Sequence, residues 1–184
     1  MLIFSDFLIW SSYQFLAPIF ALFITDRINQ SSIETVGLAS AIYLISKSIF
    51  EIPVGAYIDR SKSEKDDLYT AISGTILASA VFFAFIFIGS VWELYILQIF
   101  MGLANALAFP GWYSIFTKHI DKEKAAFEWS LYDVLLGIGM AATAAIGGIL
   151  AEQFGFNLVF IIIGTATFLG ALSLLSIKNK IYTK

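Results

Sequence analysis

The sequence predicts an all-α, polytopic membrane protein with six transmembrane helices, arranged as two inverted three-helix repeats. Three observations predict it. The 184 residues are 59% hydrophobic and only 14% charged, well under the roughly 25% charge of a soluble domain. Six apolar runs, at about 3–25, 35–58, 68–90, 92–116, 129–151 and 156–177, approach or exceed the ~20 residues that cross a bilayer. Pro18 and Pro110 stand 92 residues apart, half the chain, and Thr25 with Thr117, Ile28 with Ile120, Phe20 with Trp112 and Gly55 with Gly147 pair at the same offset. Three spans is an odd number, so a second copy would enter the membrane upside down. One transmembrane domain, 1–184, then divides into repeats of about 1–90 and 91–184.

The boundaries follow from charge. None occurs between Asp67 and Glu93, between Glu93 and Lys118, or between Glu152 and Lys178. The first run is expected to be a span rather than a cleaved signal. Met1-Leu2-Ile3 has no basic residue, the run is too long, and no small-residue cleavage site follows. The loop after span 2 carries Arg60, Lys62 and Lys65, the loop after span 4 carries Lys118, Lys122 and Lys124, and the tail carries Lys178, Lys180 and Lys184. The opposite side has only Arg27, a split of 9 to 1. Both termini are expected in the cytoplasm, in a protein integral to the cell (cytoplasmic) membrane, with lipid as its surroundings and no nucleic-acid partner. Trp92, Trp129, Tyr69 and Tyr182 fall at span ends, where amphipathic rings favour the interface. The ending from Ile177 to Lys184 reads as a complete basic tail.

Span by span, the polar residues fall on faces. In span 1, Asp6, Trp10, Tyr13 and Gln14 recur at helical spacing, and Ala17 continues the face. Gln98, Gly102, Asn105, Phe109 and Trp112 do likewise in span 4. Such faces suit a cavity or substrate contacts, and equally suit interhelical hydrogen bonds. Pro18 and Pro110 are expected to loosen their helices. Span 2 carries Lys47 and Glu51, spaced i,i+4 on the face of Ser40 and Tyr43. Lys47 lies about 18 Å and Glu51 about 12 Å from Asp59 along the helix, which puts Lys47 near the midplane. Groups so placed are costly and mark function or a specific partner. One reading has Lys47 attracting an anionic solute while Glu51 couples an ion; the other has the two locking helix packing. Asp133 in span 5 is expected to pair with loop bases. The Gly137, Gly139, Ala141, Ala142, Ala144, Ala145, Gly147 and Gly148 run predicts that span 5 packs tightly, whereas Phe-, Ile- and Leu-rich spans 3 and 6 should face lipid.

Other six-span machines are excluded. The chain has no cysteine, and its one histidine, His119, lies in a loop, so thiol, metal and intramembrane histidine chemistry lack their groups. No helix carries arginine at every third position, and no Gly-rich loop ends in Gly-Lys-Ser/Thr. No catalytic residue, metal, cofactor or enzymatic activity is expected.

FEIPVGAYIDRSK, residues 50–62, resembles the signature of the major facilitator superfamily between its second and third helices. Gly55, Asp59 and Arg60 match its Gly-x-x-x-Asp-Arg, while Lys62 and Ser63 replace the later glycine and arginine. The span 5 run GIGMAATAAIGGILAEQFGF is similar to the family's fifth helix. Thr143-Ala144 stands where antiporting members carry Gly-Pro, and Gln98 where many carry an arginine tied to proton coupling. The resemblance covers the whole chain but only half of a twelve-helix member. It implies a secondary, non-ATP transporter of a small solute that alternates access between two six-helix halves. A parallel homodimer would supply that symmetry; a second six-helix half, a non-transporting subunit and a fragment of a longer carrier are the alternatives. The implied cavity residues are Trp10, Tyr13, Gln14, Lys47, Glu51, Gln98, Asn105 and Trp112, and the implied cytoplasmic gate is Gly55, Asp59 and Arg60.

Overall fold

The computed structural model describes residues 2–61 and 63–177; Met1, Lys62, Lys178, Lys180, Tyr182 and Lys184 lie outside the described residues. It is all-helical, with six helices long and apolar enough to cross a membrane. The helices are α1 (Leu2–Tyr13), α2 (Phe20–Arg27), α3 (Ile33–Ser61), α4 (Glu64–Ala84), α5 (Val91–His119), α6 (Ala125–Phe154) and α7 (Phe156–Leu175). A 3-10 turn, Ala17–Ile19, joins α1 and α2 into the first span.

That break follows from one proline. Pro18 has no N–H and its ring would clash with the carbonyl four residues back. The chain tightens to i→i−3 bonds: Phe15 N donates to Ser12 O at 3.1 Å, Leu16 N to Tyr13 O at 3.2 Å and Ile19 N to Leu16 O at 2.9 Å. The Ser11 carbonyl is thereby released, and α6 satisfies it: Thr143 Oγ1 donates to Ser11 O at 2.6 Å. α6 approaches this close only because Gly147 lacks a side chain; a Cβ there would sit 2.1 Å from Phe15 O. Pro53 and Pro110 lie inside the unbroken helices α3 and α5. Of the expected loosening, only the one at Pro18 interrupts a helix.

At the far end of the bundle, α5 begins with a capping box. Ser90 Oγ accepts from Glu93 N, and Glu93 Oε2 accepts from the Gly89 and Ser90 amides, both at 2.9 Å. Asn29 N donates to Gly89 O at 2.9 Å, fastening the α2–α3 turn to this cap.

α5 is the hub of the bundle, packed along α3 on one side and α4 on the other. Gly74 of α4 crosses it so closely that a Cβ would lie 2.4 Å from Ala104 O and Ala108 N. α4 also packs on α7, and α1 packs on α6 and α7. One core cluster gathers Phe23, Phe82, Phe85, Phe160 and Ile163; a second gathers Leu68, Ala71, Trp112, Phe116, Tyr132 and Leu174.

Two packing expectations need correction. α4 and α7 are well buried, whereas α3 and α6 are the least buried spans. The phenylalanines of spans 3 and 6 pack against each other and against α2: Phe85 and Phe160 stack at 5.3 Å, and Phe23 meets Phe160 edge-on at 4.8 Å. Only one face of the small residues in α6 is used. Gly139 abuts α1 and Gly147 the Phe15 backbone in the break after it, while Gly137 and Gly148 have nothing within 4 Å of an added Cβ, and Ala141, Ala142 and Ala145 are exposed.

Candidate functional site

α1, α3 and α5 flank an open cavity of about 430 Å³. Trp10, Tyr13 and Gln14 come from α1 and its break, Ser40 and Tyr43 from α3, and Gln98, Met101 and Asn105 from α5; Phe20, Phe82 and Phe85 close the far wall. The helical spacing explains the convergence. Trp10, Tyr13 and Gln14 share one face of α1, and Gln98, Met101 and Asn105 one face of α5. Tyr13 lies edge-on to Phe82 at 4.8 Å, and Trp10 edge-on to Phe109 at 5.2 Å. Gln98 and Asn105 are buried. Asn105 Nδ2 donates to Met101 O at 3.1 Å, whereas no side-chain hydrogen bond joins Gln14 or Gln98 to another described residue.

A second, smaller chamber of about 30 Å³ shares Trp10, Tyr13 and Asn105 with the first. It has room for a water molecule. Asp6, Thr75, Trp112 and Tyr132 complete its polar and aromatic wall. Asp6 is buried, and the Tyr132 hydroxyl donates to its Oδ2. The Trp112 indole N–H reaches Leu2 O at 3.5 Å.

The structure brings five of the eight expected cavity residues to the large cavity: Trp10, Tyr13, Gln14, Gln98 and Asn105. Trp112 lines the small chamber only. Lys47 and Glu51 line neither. They face each other across a loose 3.9 Å ion pair, and Lys47 Nζ stands 4.4 Å above the centre of the Phe109 ring. Gly55, Asp59 and Arg60 lie in the last turns of α3; Gly55 has nothing within 4 Å of an added Cβ, and Asp59 and Arg60 are exposed. Among the described residues no ion pair joins Asp59, Arg60 or Asp133 to a partner.

Sequence reasoning missed two arrangements. Asp6 shares a face with the cavity residues, yet nothing in the order of residues announces Tyr132, 126 positions away, as its partner. Asp67 marks only the start of a span, but its side chain is fully buried between α4 and α5. Lys118 Nζ and Ser114 Oγ both donate to its Oδ2 at 2.7 Å, and its Oδ1 has no partner. His119 and Glu64 meet beside it at 3.8 Å.

The family model of the Major Facilitator Superfamily matches residues 2–180. An uncharacterized MFS-type transporter of Methanocaldococcus jannaschii is 23% identical over 171 residues, which cover 92% of this chain and 43% of that protein. A proton-coupled antiporter flippase, LtaA, of Staphylococcus haemolyticus is 26% identical over 152 residues, 82% of this chain and 37% of that protein. The LtaA of Staphylococcus saprophyticus is 24% identical over 84 residues, 46% of this chain and 21% of its own. The chain thus spans less than half the length of the curated relatives it matches. On the match along nearly its whole length and on its six membrane-length helices, this integral membrane protein belongs to the Major Facilitator Superfamily.

Proposed function

We propose that the protein is a secondary transporter of a small solute, that it works by alternating access, and that two copies close one transport cavity between them. The observation that carries this reading is the 430 Å³ cavity walled by α1, α3 and α5, in which Gln14 and Gln98 make no side-chain hydrogen bond to another described residue. The site is assigned to Trp10, Tyr13, Gln14, Gln98 and Asn105, with Trp112 in the adjoining chamber and the Lys47–Glu51 pair beside Phe109, which also lines that chamber. Gly55, Asp59 and Arg60 are assigned to the gate at the basic end, which the loop charges orient toward the cytoplasm.

The dimer is supported by where burial is missing. α3 and α6 are the least buried spans, and their outer faces carry glycines with open space before them: Gly37 and Gly55 on α3, Gly137 and Gly148 on α6. Small residues permit close helix approach in lipid. The two-repeat organisation is supported by the packing pattern. Exchanging spans 1, 2 and 3 with 4, 5 and 6 maps the α3–α5 contact onto that of α6 with the first span, and α4–α5 onto α7–α1. A second reading, in which the complementary half is a different six-helix unit, is favoured by the greater length of the relatives.

We assign proton coupling to Asp6. Of the two buried carboxylates among the described residues, Asp67 is held in an ion pair by Lys118 and Asp6 is in none; Asp6 abuts the chamber adjoining the cavity, and the staphylococcal relatives are named as proton-coupled. The chain has no cysteine, so Ser40→Cys on the exposed rim of the cavity gives a clean test. In sealed vesicles it is expected to react with a membrane-impermeant maleimide from either face. Reaction from one face alone under every condition would reject alternating access.

A further inference from the structure

We propose that the solute of this cavity is uncharged: an apolar or aromatic body bearing a group that both donates and accepts hydrogen bonds, such as an alcohol or primary amide. The inference rests on the transport reading above and concerns the same cavity. Among the side chains lining it there is no carboxylate, ammonium, guanidinium or imidazole. The nearest ionisable groups are already engaged. Lys47 is held between the Glu51 carboxylate at 3.9 Å and the Phe109 ring at 4.4 Å, and Asp6 takes the Tyr132 hydroxyl in the smaller chamber. An ion occluded when two copies close the cavity would shed water and meet no free counter-charge, which is unfavourable.

What the cavity does offer is amide chemistry between aromatic walls. Gln98 is only 5% exposed, lines the cavity, and has no side-chain hydrogen bond to another described residue. Gln14 has none either, and Asn105 spends one donor on Met101 O and keeps its carbonyl oxygen. Each free amide presents two donors and an acceptor. A carboxylate or phosphate ligand satisfies only the donors and an ammonium only the acceptors, whereas an alcohol or amide satisfies both. Trp10, Tyr13 and Phe82 supply flat apolar surfaces for the remaining body of the solute.

The test uses the full chain in nanodiscs and three probes that share a phenyl ring: phenyl β-D-glucoside, phenyl phosphate and 2-phenylethylammonium. Calorimetric titration is expected to show the neutral probe binding about tenfold or more tightly than either ion. Gln98→Leu is expected to weaken that binding about tenfold while leaving the melting temperature in place, because no protein hydrogen bond is lost. Tighter binding of either ion, unchanged binding by Gln98→Leu, or no binding of the neutral probe overturns the proposal. Two-sided labelling of Ser40→Cys without a preference for the neutral probe sinks the solute assignment alone. One-sided labelling with the preference intact sinks the transport reading alone.

Discussion

Two ion pairs, Lys47–Glu51 within a span and Asp67–Lys118 between spans, differ in what their loss would leave behind. Lys47 and Glu51 lie one turn apart on α3, 3.9 Å from each other, with side chains 23% and 38% exposed. Asp67 and Lys118 belong to different helices, meet at 2.7 Å, and the carboxylate is fully buried. The first pair can relax by rotamer changes and borrow water. In the second, Lys118 keeps that freedom but Asp67 does not: it relies on Lys118 and Ser114 for its one satisfied oxygen. A pair that stands out within a helix can be loosely held, and a pair that joins two helices at their ends can hold the bundle.

The largest expected effect is at the buried pair. Lys118→Met should cost about 3 kcal/mol, because it strands a buried carboxylate; Lys118 is 42% exposed, which keeps the loss from being larger. Adding Asp67→Asn to that variant should restore much of the loss, since the stranded charge is gone. Denaturation of the detergent-solubilised protein, followed by helical signal, reads both. Equal loss in the single and double variants would erase the distinction between the two pairs.

The next effect concerns backbone contact. Gly147→Ala should destabilise by about 1–3 kcal/mol through overpacking, because the new Cβ meets the Phe15 backbone where the Pro18 break exposes it. Gly148→Ala, one residue on with open space, should stay within about 0.5 kcal/mol. Similar melting shifts for the two would place the close approach of α6 elsewhere.

At the exposed pair the expectation reverses. Lys47→Ala and Glu51→Gln should each change stability by less than about 1 kcal/mol, yet slow transport by about tenfold, equivalent to roughly 1.4 kcal/mol of barrier. Counterflow of phenyl β-D-glucoside in proteoliposomes measures it. Asp6→Asn is the companion test: uptake should persist but lose its response to an imposed pH gradient, and an intact response would remove Asp6 from coupling.

Much of the fold was legible because lipid leaves few solutions. Backbone groups must be satisfied within each helix, so run length and loop charge alone locate six spans, most ends falling within four residues and the end of span 3 six residues past Ala84. The cavity face was also legible, since Trp10, Tyr13 and Gln14 on one helix, and Gln98 and Asn105 on another, repeat at the helical period. Partners across helices were not. Tyr132 for Asp6, Lys118 for Asp67 and Thr143 for the Ser11 carbonyl depend on how spans cross, which periodicity does not encode. The same limit misplaced spans 3, 5 and 6. Phenylalanine is as content against phenylalanine as against lipid, and a run of small residues does not say which of its faces meets a neighbour.

Whether two copies close the cavity is tested most directly by native mass spectrometry of the chain released from nanodiscs assembled at low protein-to-lipid ratio. The expected species has twice the 20.3 kDa mass of one chain, and it should bind one neutral probe per pair. A chain found only as a monomer, under conditions where Ser40→Cys still labels from both faces, would contradict the shared cavity.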